Sequence, residues 1–234
     1  MEKDEFFLKR IRELANLSWQ RDIVTFSDFL NLNEQNIVNE QKNQMPGVIT
    51  ECSGGYEQAE RQMVAFHPDA LAFTWEYPID CLKIEPKSLK FSEELTHRDY
   101  LGALMNLGIE RYLIGDILVD EKCAYIFCMS HIMDLLKEQL GQVRHTRVAV
   151  EEVVWEETGY IQKYKRKEGF VASMRLDVLV SQAYGLSRTS SDKLLKAQKV
   201  FHNGRLCISS GQKIRQGDII SVRGYGKFLV EDLG

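Results

Sequence analysis

Apolar residues recur at intervals of three and four near the start of the chain, where Phe7, Ile11, Leu14 and Ala15 fall on one side of a helix. Residues 16–18 predict a break in that stripe, and the Asn/Gln-rich run over 31–44 predicts short helices joined by loops. Met45-Pro46-Gly47 stops the run. The branched stretch 48–52 reads as a strand ending at Ser53-Gly54-Gly55, with a helix expected through Arg61 and Met63 and closing before Pro68.

The middle of the chain has a sharper order. Residues 71–85, rich in aromatic and branched side chains, read as a strand that Pro78 must break or place at an edge. Over 96–107, Tyr100, Leu101, Leu104 and Leu107 share a helical face, with Thr96 as the expected cap and Gly108 as the stop. Strands follow at 114–119 and 123–129 around the turn Asp120-Glu121-Lys122. Ser130 is then expected to cap a helix carrying Ile132, Leu135, Leu136 and Leu140, ended by Gly141, before an alternating strand at 147–154. Strand, helix, strand, strand, helix, strand is the order of ferredoxin-like folds. RNA-recognition-motif domains share it, but they stack bases on exposed aromatics in a defined strand motif. CAYIFCM at 123–129 lacks the glycine and basic residues of that motif, which assigns Tyr125 and Phe127 to the core.

Residues 155–170 read as a linker with Thr158-Gly159 and the basic run KYKRK at 163–167. Beyond it, Leu176, Leu179, Val180 and Ala183 keep helical spacing, Tyr184-Gly185-Leu186 interrupts, and Ser187 is a natural cap for a second helix burying Leu194 and Leu195. Strands at 200–202 and 205–208 flank Asn203-Gly204, the pair favoured where both central turn residues need positive φ. Gly217-Asp218 turns the chain into a strand at 219–223. The expected fold is therefore α+β: an α/β region at 1–70, a ferredoxin-like βαββαβ domain at 71–154, the linker 155–170, and a helix hairpin with a small sheet at 171–234.

Composition fits globular domains: 44% of the 234 residues are hydrophobic and 27% charged. MEKDEFFLKR has no signal-peptide core and no apolar run approaches the ~20 residues of a membrane span, so a soluble, cytoplasmic monomer is expected. Five cysteines at irregular spacing suggest buried thiols in a reducing compartment rather than a disulfide framework. Charge changes the picture most. The net charge of −4 hides a segment, 171–227, with ten cations against three anions; its +7 leaves −11 for everything else. Such asymmetry points to a basic binding module on an acidic body.

Catalytic and metal readings are weak. Ser53-Gly54-Gly55 lacks the fuller glycine pattern of nucleotide sites, and His97-Arg98-Asp99 lacks the partners of a kinase loop. Cys123, Cys128 and His131 lack the close paired spacing of structural zinc. No catalytic residue, metal or cofactor is expected.

RLD at 175–177, SR at 187–188, LL at 194–195, Val200, NG at 203–204, GD at 217–218 and VRGYGKF at 222–228 together resemble the RNA-binding domain first described in small-subunit ribosomal protein S-four. Upstream, SGGYEQAER at 53–61, HRDYLGALMNLG at 97–108 and IGDILV at 114–119 resemble the bacterial YlmH family, which carries that module at its C-terminus. The resemblance implies RNA contacts by Arg175 and Arg188. The site expected around them adds Lys193, Lys196, Lys199, Asn203, Gly204, Arg205, Arg223 and Lys227, with the lysines at 193, 196 and 199 forming a stripe at three-residue intervals. An ion pair with Asp177 is the alternative use of Arg175, and a turn requirement the alternative use of Asn203-Gly204. Three departures stand out: Ser191 where a small residue is usual, Gln198 in place of a glycine, and His202 in place of an apolar residue, facing either RNA or a hydrogen-bond partner in the fold. The resemblance further implies rRNA and tRNA contacts on the large ribosomal subunit, a role in ribosome-associated quality control without catalysis, and a link to cell division. The rivals are an RNA-modifying enzyme, of pseudouridine synthase or rRNA methyltransferase type, with a divergent active site, and an adaptor whose acidic body binds division proteins.

Overall fold

The helix that opens the chain, α1 (Glu2–Arg21), runs straight through the expected break at 16–18. Ile11, Ala15 and Ser18 are all buried, so the serine continues the apolar stripe instead of ending it. The computed structural model describes residues 2–57, 59–70, 74–161 and 165–231, and the chain forms two compact units, Met1–Tyr160 and Ile161–Gly234. In the first, α1 and α2 (Leu32–Gln41) pack beside a sheet of β1 (Thr25–Phe26), β2 (Val48–Ser53) and β3 (Met63–Pro68) in the order β1-β3-β2. A capping box starts α2: Asn31 Oδ1 accepts from the Glu34 N–H at 3.1 Å and Glu34 Oε2 from the Asn31 N–H at 2.7 Å. The helix expected through Arg61 and Met63 is absent. Residues 63–68 are instead the central strand, paired on both sides and buried at every position. Such a strand shows no alternation, and its short apolar run is indistinguishable from a buried helix by periodicity.

A five-stranded antiparallel sheet follows, built from β4 (Ile79–Pro86), β5 (Ile114–Val119), β6 (Ala124–Met129), β7 (Gln142–Val143) and β8 (Thr146–Val153) in the order β5-β6-β4-β8-β7. Pro78 precedes β4 and so does not interrupt it; residues 74–78 carry no strand, and 71–73, also expected in it, lie outside the described residues. With α3 (His97–Asn106) and α4 (Met133–Gln139) the strand, helix, strand, strand, helix, strand order is present, and β7 is an unexpected edge strand that turns into β8 at Arg144, φ 52°. Asp99 Oδ2 accepts from the Thr96 N–H at 2.8 Å, so the aspartate of His97-Arg98-Asp99 is a cap. Ser130 does not cap α4: it begins a short 3₁₀ turn, Ser130–Ile132, and the exposed Leu135 faces away from the core.

The two faces of this sheet are buried differently. Leu82, Ile84, Ala124, Ile126 and Cys128 face α3 and α4, meeting Tyr100, Leu104 and Leu136. Tyr125 and Phe127 point the other way and are 6% and 1% exposed, core residues as assigned. Their cover comes from Phe29, Met63 and Tyr56 and from Trp155, which was expected in the linker. Tyr56 stacks on Phe127 with centroids 5.0 Å apart, and Trp155 meets Phe127 edge-on at 5.1 Å. Asp116 locks the covering loop, accepting from Tyr56 Oη (2.8 Å), the Glu60 N–H (2.6 Å) and the Arg61 N–H (3.2 Å). Arg61 in turn donates to the carbonyls of Phe29 (2.7 Å) and Ile114 (3.0 Å). Burial, reinforced by the neighbouring Arg61, holds the Arg111 pKa down to about 10. Ser53-Gly54-Gly55 leads into this loop rather than a helix: Gly55 has φ +91°, and a Cβ on it would stand 2.5 Å from the Phe127 ring.

The second unit pairs α5 (Leu176–Tyr184) with α6 (Arg188–Lys196) beside an antiparallel sheet of β9 (Val200–His202), β10 (Arg205–Leu206), β11 (Ile219–Val222) and β12 (Gly226–Leu229), ordered β10-β9-β11-β12. Leu176, Val180, Leu195, Val200, Ile220 and Val222 form its core, and Ser187 Oγ accepts from the Ser190 N–H at 3.1 Å as the cap of α6. Asn203 and Gly204 have φ 47° and 77°, the conformation expected of their turn. Asn203 also ties β9 to β11: its Oδ1 accepts from the Ile219 N–H and its Nδ2 donates to Asp218 Oδ1, both at 2.8 Å. Asp218 Oδ2 accepts from the Arg215 N–H at 2.7 Å and lies 2.9 Å from His202 Nε2. All five cysteines are free thiols, but only Cys81 and Cys128 are buried; Cys52 is exposed and Cys123 and Cys207 are half-buried, since strand ends and the C-terminal hairpin place them near the surface.

Replacing Asp116 by alanine leaves three donors without their acceptor and removes a negative charge near the enclosed guanidinium groups of Arg61 and Arg111, and is expected to lower the stability of the first unit by about 2–4 kcal/mol in denaturant unfolding. Asp218 gives a pH dependence. Burial pushes its carboxyl up, but the Arg215 N–H, the Asn203 amide and His202 together outweigh burial and leave its pKa below the ordinary aspartate value. Its contribution is therefore complete above the unfolded aspartate pKa of about 3.9 and is lost as pH falls through the lower folded value. Thermal unfolding of wild type and Asp218→Ala at a series of pH values should converge toward the acid end.

Candidate nucleic-acid interface

Lys193 and Lys196 lie exposed on α6, about 60° apart around its axis. Lys199 does not extend their stripe. The helix ends at Lys196, and Gln198, standing where the resembled module has glycine, adopts φ 57° and turns the chain into β9. What holds Lys199 is the junction of α6 with the sheet: its N–H donates to the Leu194 carbonyl at 3.0 Å, and its carbonyl accepts from the Arg223 N–H at 2.8 Å. Lys199 and Arg223 thus stand side by side, one entering β9 and the other leaving β11. The Arg223 guanidinium sits 4.9 Å from the Phe201 ring centroid, a cation–π contact that restrains it. Arg188 occupies the first position of α6. Arg188, Lys193, Lys196, Lys199 and Arg223 are all exposed and make no ion pair among the described residues.

A second group lies toward the other end of β9. Arg175 makes a bidentate ion pair with Asp177, Nε–Oδ1 and Nη2–Oδ2 both 3.0 Å, which raises its pKa further. Backbone bonds from Leu176 to Gln212 (2.9 Å) and from Ile214 to Met174 (2.9 Å) set Arg175 across from Lys213. There a recess of about 470 Å³ is lined by Arg175, Lys213, Arg215, His202 and Asp218. His202, bonded to Asp218, meets the second of its two expectations, a hydrogen-bonded place in the fold. Arg205 stands opposite His202 on β10, and Lys227 pairs with Ser221 on β12. The predicted cations are thus divided along the three residues of β9, about 10 Å in length, and do not form one stripe. Lys213 and Arg215, absent from the expected site, join it through the Arg175 bridge; their positive charge was the only sequence signal they gave. The side chain of Asn203 is engaged inside the fold, and of the basic run at 163–167 Lys163 and Tyr164 lie outside the described residues.

Residues 74–157, the span of the five-stranded sheet, match a family model described as "Putative RNA-binding domain in YlmH". A Bacillus subtilis protein named "Ribosome-associated protein quality control protein P2" is 26% identical over 221 residues, covering 90% of this chain and 84% of its own length. The solved structure of the cell division protein ylmH from Streptococcus pneumoniae is similar over 67% of this chain and 94% of its own, with 28% identity and a TM-score of 0.54. The family match on the central sheet, together with two relatives whose likeness extends well beyond it, makes this chain similar to YlmH-type proteins over most of its length.

Proposed function

We propose that this chain is a non-catalytic RNA-binding protein that works as a monomer in the cytoplasm. In this reading it binds the large ribosomal subunit through rRNA and tRNA contacts, in ribosome-associated quality control of stalled translation. Three parts carry it: an N-terminal α/β region, a ferredoxin-like middle domain, and a C-terminal S-four-type module whose cations grip the RNA backbone. The observation that supports this most directly is the group of exposed cations on α6 and at the β9–β11 junction, which the fold leaves without ion-pair partners among the described residues. Arginine there can bind one phosphate through two parallel hydrogen bonds, while the lysines act as point charges. The Bacillus subtilis relative's name supports the ribosomal setting. No helix of the described residues is long and apolar enough to cross a membrane.

The name of the Streptococcus pneumoniae structure favours a second reading, an adaptor for division proteins. Co-sedimentation with purified large subunits separates the two: the first reading requires the chain in the ribosomal pellet, and recovery only with division proteins overturns it. Incubating ribosomal RNA and the chain with a methyl donor, or with labelled uridine in the RNA, should yield no modified product.

Arg188→Ala should weaken RNA association about ten-fold, equivalent to ~1.4 kcal/mol, and more than Lys213→Ala, which removes a charge from the recess at the far end of β9. Equal losses in a filter-binding comparison would count against the α6 surface as the main grip. Affinity should also fall with salt, the log–log slope steepening by about 0.7–0.9 for each phosphate neutralised.

A further inference from the structure

We infer that the middle domain holds its own RNA-backbone surface in a cleft formed by α3, the end of α4 and the β7–β8 hairpin, on the helical side of the sheet. The inference rests on the RNA-binding reading above and says where the middle domain meets RNA.

The opposite face of the sheet is unsuited to the task. Tyr125 and Phe127 are sealed beneath Tyr56 and Trp155, so neither ring is open for a base to stack on. On the same face Lys83 lies 2.7 Å from Glu85 and 3.2 Å from Glu151, one cation between two carboxylates.

The cleft has the reverse character. It is open, about 820 Å³, and gathers Lys87, Arg98, Arg144 and Arg147 against one acidic lining residue, Asp99. Backbone geometry sets the cations together: the Lys87 N–H donates to the Arg147 carbonyl at 3.0 Å, and Arg147 pairs with Gln142 across the hairpin that Arg144 closes. Arg144 reaches Asp99 and Glu93 only at 3.6 Å each. Lys87, Arg98 and Arg147 are exposed and have no ion pair among the described residues. Four cations collected in a region that is otherwise strongly acidic need a reason that the fold does not supply.

Gly102 gives a second, independent indication. It lies in the interior of α3 and lines the cleft, and glycine there costs helix stability relative to alanine. A Cβ on Gly102 would meet nothing within 4 Å, and its φ is not in the left-handed region, so no contact or turn inside the chain requires glycine. Gly141, also lining the cleft, is equally open. Bare helix backbone flanked by guanidinium groups suits a sugar–phosphate chain approaching from outside, gripped by charge and hydrogen bonds without reading bases.

Fluorescence anisotropy of the full chain with a labelled RNA stem-loop, at several salt concentrations, tests this. Arg98→Ala/Arg147→Ala should weaken binding about ten-fold and make the log–log salt slope shallower by about 1.4–1.8, two phosphates' worth, with an unchanged melting temperature. Gly102→Leu, which adds bulk without changing charge, should weaken binding while the chain melts no lower. Lys87→Gln provides the same reading should the double variant fail to fold. If Arg98→Ala/Arg147→Ala binds like wild type while Lys193→Ala/Lys196→Ala is weakened, this cleft is not an RNA surface and the C-terminal reading stands. If neither pair weakens binding, both readings fall. Displacement of the stem-loop by polyglutamate in wild type, lost in the Arg98→Ala/Arg147→Ala variant, would identify an acidic protein partner and overturn the RNA assignment.

Discussion

The carboxylate of Asp116 decides what kind of surface the central sheet can offer. Its two oxygens hold Tyr56 and the backbone of Glu60 and Arg61 over β5 and β6, and Arg61 extends the tie to Phe29. Hydrogen bonds to a charged group contribute about 1.5–3 kcal/mol each, more than the ~0.5–1.5 kcal/mol of an aromatic pair beyond its area, so the polar tie positions the stack and not the reverse. Once Tyr56 and Trp155 lie on Phe127, the face on which a related topology stacks bases has become interior. In the proposed reading, RNA is thereby denied base stacking on Tyr125 and Phe127 and left to the charged surfaces.

Charge in turn has to be judged locally. A net charge of −4 would repel a polyanion if the protein acted as a point, yet at physiological ionic strength the Debye length is about 8 Å. A phosphate resting between Lys199 and Arg223 is screened from most carboxylates on the far side of its own unit. The α3–β7–β8 cleft obeys the same rule: Asp99 and Glu93 are the only acidic groups paired with its cations among the described residues. In the proposed reading the acidic remainder limits where RNA would settle, since contact away from the cationic surfaces is repulsive.

The parts of this fold that were legible in the sequence are those settled within a few residues. Ser187 as a cap, Asn203-Gly204 as a turn with two positive φ values, and Thr96 with Gly108 around α3 each follow from local chemistry. Burial from both sides hid β3, because MVAFHP shows no alternation to count. Ser18 read as a break for a related reason: nothing in the sequence says that a serine sits against the core. Asp116 and Arg61 were quoted as parts of family-like blocks, but their partnership spans 55 positions and only the folded chain brings them into contact. Arg144, in the turn, and Arg147, on β8, were passed over because their hairpin partner β7 has only two residues and is too short to leave a pattern.

The expected lysine stripe shows how a correct charge count can carry a wrong geometry. Spacing by threes suggests one helical face only while the helix lasts, and α6 stops at Lys196 because Gln198 takes a left-handed conformation that side-chain-bearing residues adopt at a cost. The turn delivers Lys199 to a sheet, where its backbone is bonded to both Leu194 and Arg223. A cation held at the meeting point of a helix and two strands loses less freedom on gripping a phosphate than one on a free helix end, because its backbone is already fixed. The strained residue therefore converts a loose row of charges into a fixed pair, and the spacing of that pair is set by strand geometry rather than by the helical repeat.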